Sequence, residues 1–420
     1  MVTPQQRDWV RREVTGMYLR NRQQGHAAWA KRDYDFVCPS TGTYPFQWLW
    51  DSCFHAVVLS HLDIGRARSE LESLLANQQS DGFLGHVTFW QREKFEEIIK
   101  TYGIAFRTPY LSDCIQPPVF AEALDAIDRR GGGDAYLKQM LPRVSAAYDW
   151  LDRMRDPDQD GLIAVVQADE TGLDHSVKWD ELFQVKAVTL EEFQKAWDRV
   201  AKPYDAYGRD HAKMFASDHF IVEDVMVNSI YGLNLQLLAA LHGKAGDAAN
   251  QKKYQAMADR TFQALLKKCW HEGDGLFYDL AGHTAEKHLR HDTFTALMPL
   301  VFPQLPKDKA ARLIARLEDP KKYAARYPVP TVAMDHPRFE PGISGTKLVW
   351  RGPSWMNSNW YLARGLKAHG RADLAQRITD ASVELVQKSG FREYYNPLTG
   401  EGHGAEDFSW TGLVLDLVEG

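Results

Sequence analysis

Twelve segments of this chain carry helical periodicity, and they alternate strictly between two kinds. Six are apolar on nearly every side, at 47–61, 117–127, 222–241, 291–302, 353–366 and 407–418. Six are amphipathic, at 4–24, 64–79, 133–155, 246–270, 306–318 and 371–390. A helix apolar all round must be covered on all sides, whereas an amphipathic one needs cover on one face only. A ring of six inner helices jacketed by six outer ones meets both needs and closes on itself, so no capping repeat is required. An open solenoid would show a fixed repeat length. Here the step between apolar segments runs from about 50 to about 105 residues without self-similar sequence. The pattern predicts an all-α (α/α)6 barrel, with an irregular all-α domain as the alternative.

The connections entering the inner segments are long: 25–46, 80–116, 156–188, 319–352 and 391–406. Loops of that length in a compact domain usually carry function. No Ser- or Pro-rich linker divides the chain. One catalytic domain over 1–420 is therefore expected, with 80–116 and 156–220 as insertions over the active-site mouth. A net charge of -6, from 50 Lys+Arg against 56 Asp+Glu, disfavours nucleic acid and anionic membrane as partners. No apolar h-region opens the chain, and no run of ~18 apolar residues occurs. Cys38, Cys53, Cys114 and Cys269 lie far apart without C-x-x-C spacing, which suggests neither a zinc site nor a disulfide framework and suits a reducing cytoplasm. Assembly into a homo-oligomer is compatible with all of this.

Several motifs look chemical and have duller explanations. Asp156-Pro157-Asp158-Gln159-Asp160-Gly161 imitates the start of an EF-hand loop, but the twelfth position, which should be Glu, is Gln167. A tight turn with Asx-type hydrogen bonds is the better expectation. His283, His288 and His291 lack an H-E-x-x-H context, and Gly131-Gly132-Gly133 follows no strand. No metal and no cofactor is expected. Three aromatic clusters are harder to dismiss: Tyr44-Pro45-Phe46-Gln47-Trp48-Leu49-Trp50-Asp51, the 350–360 run WRGPSWMNSNW, and Glu393 to Gly402. Two of them open inner segments, where Asp51 could equally be a carboxylate favoured by the helix dipole. With 13 Trp, 17 Tyr and 19 Phe the chain is rich in rings, most of which a large core would absorb. Rings beside Asp, Glu, Asn and Arg are what a carbohydrate pocket needs.

Taken together, YPFQWLWDSCFHA (44–56), CIQPP (114–118), ETGLDHSVKWD (170–180), WRGPSWMNSNW (350–360) and EYYNPLTGEGHGAEDFSW (393–410) resemble glycoside hydrolase family 63. Within it they are most similar to the short bacterial and plant enzymes acting on mannosylglycerate or glucosylglycerate; trehalases share weaker versions. The resemblance covers nearly the whole chain. It implies an inverting hydrolase of a small α-glycoside with Asp174 as general acid and Glu393 as general base. Sugar contacts are implied for Tyr44, Trp48, Trp50, Asp51, Gln116, Trp350, Arg351 and Trp355. Two departures stand out. Asp169 occupies the position where the family usually has Trp before E-[ST]-G-x-D, and Val177-Lys178 replaces a frequent Pro-Arg, which removes a planar fork for anion recognition.

Glycoside hydrolysis needs one carboxyl to protonate the leaving oxygen and another acting from the opposite face. On residues alone Glu170, Asp180 and Glu401 rival Asp174 and Glu393. Two other classes fit the same barrel: a sugar epimerase using paired histidines such as His55 and His403, and a non-catalytic sugar-binding protein. Release of free reducing sugar separates hydrolysis from both.

Overall fold

The structure, a computed structural model, describes residues 2–102, 105–185, 189–342 and 348–420. Parts of both expected insertions (103–104 and 186–188) and of the 319–352 connection (343–347) lie outside the described residues.

The apolar segments form the inner ring. Helices Leu49–Leu62, Phe120–Ile127 and Val225–Lys244 are followed by the 3-10 helix Phe294–Val301, then by Met356–Ala368 and by Val414–Glu419, which continues the 3-10 turn Ser409–Leu413. Each packs on the next, and the last packs back on Leu49–Leu62, so the ring closes. Every residue from Leu49 to Ser60 is buried, as a helix apolar all round demands. The amphipathic segments form the jacket. Ile64–Leu75 lies across Leu49–Leu62 and Phe120–Ile127, Asp134–Arg155 across Phe120–Ile127 and Val225–Lys244, and Ala372–Ser389 across Met356–Ala368 and Val414–Glu419. Pro4–Arg20, Ala248–Ala264 and Lys307–Glu318 complete it. Pro4–Arg20 starts at a capping box: the Thr3 hydroxyl accepts from the Gln6 N–H, and the Gln6 side chain accepts from the Thr3 N–H.

Some segments depart locally from the expected α-helix. The 291–302 segment is 3-10 rather than α over Phe294–Val301, with Pro299 inside it. The segment expected to run on to residue 24 ends at Arg20, and Arg22–Ala27 instead pairs antiparallel with Arg32–Val37. Short strands decorate the mouth: Gln47–Trp48, Val87–Thr88, Leu111–Ser112 and Phe106–Thr108 form one four-stranded sheet in that order. It ties the 80–116 connection to the start of the Leu49–Leu62 helix.

The acidic turn after Asp134–Arg155 is held as an Asx structure: Asp156 accepts from the N–H groups of Asp160 and Gly161 at 3.0 and 3.1 Å. Asp158, Asp160, Glu223 and Glu286 bring carboxylate oxygens within 4.8 Å of one another, without Gln167. The Lys268 ammonium stands among them, donating to Asp160, Glu223 and Glu286. All four cysteines are buried and unpaired.

Candidate active site

A cavity of about 300 Å³ opens where the inner helices begin. The Leu49–Leu62 helix places Trp50 and Asp51 in it, and its first N–H groups are satisfied from loops. Leu49 N–H donates to the His86 carbonyl at 2.8 Å, and Trp50 N–H donates to Gln116 Oε1 at 3.1 Å. Gln116 therefore fixes the helix start that carries the indole and the carboxyl. On the opposite wall, Ser354 and Tyr395 exchange backbone hydrogen bonds of 2.8 and 2.9 Å, joining the 350–355 segment to the strand bearing Glu393. Trp350 lies flat on Trp355, with ring centroids 3.7 Å apart and planes within 7°. Its φ is +64°, a left-handed conformation that a bulky residue adopts only when its surroundings impose it.

Nine of the ten expected site residues line this cavity: Tyr44, Trp48, Trp50, Asp51, Gln116, Asp174, Trp350, Trp355 and Glu393. Arg351 lies outside its wall. It is 1 % exposed and donates to both oxygens of Asp180 at 2.6 and 2.9 Å, so it anchors a loop from behind. Lys178 also lines neither this cavity nor its neighbour: its ammonium is buried against Asp224 and Asp279. The sequence reasoning passed over His86, His175, Tyr394, Phe408 and Trp410, which share the wall. The last three lie inside the long C-terminal motif and His175 inside ETGLDHSVKWD, signals that were present; His86 carries none.

The surroundings of the carboxyls separate the rivals. Glu170 is wholly buried and bidentate to Arg155 at 2.6 and 2.7 Å, and it also accepts from the N–H groups of Ile115 and Val166. Asp180 is held by Arg351 and Arg338, and Glu401 is exposed. Asp174 makes no side-chain hydrogen bond or ion pair among the described residues, and burial pushes it up to about 6. Glu393 sits at an irregularity of the Arg392–Tyr395 and Gly402–Glu406 hairpin. It accepts from Tyr44 O–H at 3.2 Å and from Ala405 N–H at 2.9 Å. Burial pushes it up to about 7, opposed by those two donors and reinforced by Asp174. Asp51, 3 % exposed, is raised well above its usual range by burial, with Glu393 adding to it.

Glycines set the close approaches. Gly172, at φ +70°, lies against the Trp50 indole, and a Cβ there would overlap the ring. Gly404, at φ +69°, lies equally close to the Glu393 carboxylate. Only a residue without a side chain takes such a backbone at no cost.

A second cavity, of about 510 Å³, shares His86, Asp169, Asp174 and His175 with the first. Its far wall is the helix Leu190–Ala206, through Phe193, Trp197 and Lys202. Burial pushes His86 down to about 3 and His175 down to about 4, so both imidazoles are neutral. His55 and His403 line neither cavity.

The sequence profile described as the mannosylglycerate hydrolase MGH1-like glycoside hydrolase domain matches residues 44–411. The chain is 31 % identical over 410 residues to the mannosylglycerate hydrolase of Thermus thermophilus, covering 90 % of this chain and 95 % of that one. It is 27 % identical to the glucosylglycerate hydrolase of Mycolicibacterium hassiacum, over 93 % and 96 % of the two chains. The crystal structure of a GH63 mannosylglycerate hydrolase from Thermus thermophilus, in complex with Tris and D-glycerate, superposes with a TM-score of 0.84 at 27 % identity, covering 98 % of this chain and 100 % of that one. With a closed double ring of helices, a tryptophan-walled cavity and two carboxyls facing it, this chain belongs to the MGH1-like glycoside hydrolase family and is a glycoside hydrolase.

Proposed function

We propose that the enzyme hydrolyses mannosylglycerate or glucosylglycerate with inversion, Asp174 acting as general acid and Glu393 as general base. The observation that carries this is the contrast between the two carboxyls of one cavity. Glu393 accepts two hydrogen bonds, which favour its ionised, proton-accepting form. Asp174 receives none from another side chain; burial raises both carboxyls, Asp174 to about 6 and Glu393 to about 7, so the roles rest on the hydrogen bonds and not on the order of titration. The Asp174 O–H donates its proton to the glycosidic oxygen as the bond from that oxygen to the anomeric carbon breaks. Glu393 takes a proton from the water that bonds to the anomeric carbon from the other face. An α-linked substrate then releases the β-anomer first.

The sugar ring occupies the 300 Å³ cavity, against Trp48, Trp50, Trp350 and Trp355. The indole N–H groups of Trp355 and Trp410 are buried without an acceptor among the described residues, and sugar hydroxyls supply acceptors. Beyond Asp174 the aglycone enters the second cavity. The insertions 80–116 and 156–220 roof the mouth of a single domain over 1–420, so long α-glucans are excluded. The size of the second cavity, about 510 Å³, favours one further reading, a disaccharide hydrolase of trehalase type. The buried free cysteines suit a reducing cytoplasm.

A panel of mannosylglycerate, glucosylglycerate, trehalose, kojibiose and nigerose tests both readings, with the first anomer followed by NMR. The glycerate glycosides are expected to be cleaved fastest, with inversion. Faster cleavage of a disaccharide would install the second reading, and retention of configuration would end the two-carboxyl scheme as drawn.

A further inference from the structure

Asp169 belongs to the 3-10 turn Ala168–Thr171, and its carbonyl accepts from the Gly172 N–H at 2.9 Å. Gly172 reverses the chain at φ +70°, and Asp174 follows two residues later. Both aspartates line both cavities and stand where the two meet. The Asp169 carboxyl makes no hydrogen bond or ion pair with another side chain among the described residues, and that of Asp174 accepts only from its own backbone N–H.

The cations nearby are committed elsewhere. Arg155 is bidentate to Glu170. Arg209 donates to Asp113, Gln167 and Asp205 at 2.6 to 3.2 Å. Lys202 pairs with Asp198, and Arg351 with Asp180. His86 and His175, on the shared wall, are neutral. The remaining charges facing the junction, Glu393 and Asp51, are of the same sign. Two desolvated carboxyls without a cation between them cannot both ionise near neutral pH.

We propose that Asp169 and Asp174 share one proton, which makes Asp169 a positioning residue that keeps the general acid loaded. The proposal rests on the reading of Asp174 as general acid. In the resting enzyme the proton is held by the pair, and the glycosidic oxygen of a bound substrate draws it to Asp174. After bond cleavage the pair is doubly ionised only transiently: Glu393 releases to solvent the proton it took from the water, and the pair recaptures one from solvent, which resets both groups. The direction of titration agrees: burial, then Asp174, then Glu170 push Asp169 well above the carboxylate range. A pair of this kind keeps its last proton to higher pH than an isolated member does.

The test is the pH dependence of kcat/KM for Asp169→Asn on the preferred glycerate glycoside. The alkaline limb is expected to move toward acid, so that the ratio of kcat/KM at about pH 8 to that at about pH 5.5 falls at least about tenfold, one pH unit of lost proton affinity. Asp169→Glu, which restores a carboxyl, should bring the limb back. With the corresponding glycosyl fluoride, whose leaving group needs little protonation, the shift should shrink. A uniform loss across the pH range, or a limb that stays in place, would overturn the proposal. If Asp169→Asn melts early, 13C titration of the aspartate carboxyls in the native enzyme decides: two widely separated steps support the pair, and two independent single steps refute it. Failure of the parent reading looks different, because Asp174→Asn would then keep its activity whatever Asp169 does.

Discussion

The barrel has a cavity at each end, of similar size and each walled by carboxyls, but among the described residues only the far one has Arg and Lys facing them. The far cavity, about 280 Å³, lies at the C-terminal ends of the inner helices and is walled by Glu122, Asp125 and Asp416. There every carboxyl has its donors. Glu122 accepts from Tyr361 O–H at 2.7 Å and from Arg364 at 2.6 Å. Asp416 accepts from the Trp360 indole at 2.7 Å and from Arg130 at 3.0 Å, and His61 lies 2.6 Å away. Despite its burial, hydrogen bonds from His61 and Trp360 hold Asp416 well below the carboxylate range. At the mouth, Asp51, Asp169, Asp174 and Glu393 are all pushed up by burial. A buried acid fully supplied with donors is structural; one left short of them stays free to exchange a proton.

The largest effect should come from the mouth. Asp174→Asn and Glu393→Gln should each lower kcat by ~10²–10⁴-fold, the usual share of proton transfer. A glycosyl fluoride should partly rescue the first and leave the second inactive. A loss below about tenfold would remove that residue from its role and blur the contrast between the two ends.

Stability should respond in the opposite sense at the two ends. Asp416, depressed in the fold, contributes stability that is present above its unfolded value of ~3.9 and is lost as pH falls through the folded value. Asp416→Asn should cost roughly 3–5 kcal/mol in urea unfolding at neutral pH, because it strands buried partners. Glu393 is raised, so its ionisation opposes folding as pH climbs through about 7. Glu393→Gln should therefore melt higher than the native enzyme under mildly alkaline conditions. Equal destabilisation by both variants would mean that the two ends differ in shape rather than in the supply of donors.

The smallest effect concerns the acidic turn. With the Lys268 ammonium donating to Asp160, Glu223 and Glu286, dialysis against a chelator should leave the rate of hydrolysis unchanged. Loss of activity restored by calcium would show that a cation competes with Lys268 for this cage.

Periodicity made the twelve barrel helices readable because a segment apolar all round has few other fates, but it did not tell 3-10 from α at Phe294–Val301. The mouth strands escaped notice, since two residues such as Gln47–Trp48 are too short to show a period. Asp51, Glu393 and the tryptophans were legible through their motifs. Arg351 sits in the same aromatic run but faces Asp180, a partner 171 positions away that no local pattern reveals. The choice of Asp174 over Glu170 came from resemblance; its physical reason, Arg155 at 2.6 Å from Glu170, needed the fold. Asp169 was visible only as an oddity, because what matters is that the neighbouring cations are already taken.

Closure of the inner ring has a consequence for how the enzyme comes into being. Tyr44 meets Glu393 across 349 positions, and His55 meets Ser409 across 354. A nascent chain therefore has no half-made cavity: Glu393 is still unsynthesised when Trp48 and Trp50, which share its wall, are already folding. Contacts of such separation form late and slowly. Catalytic turnover in a refolding mixture consequently counts completed molecules one by one, while helical signal alone would credit arcs that have not yet met.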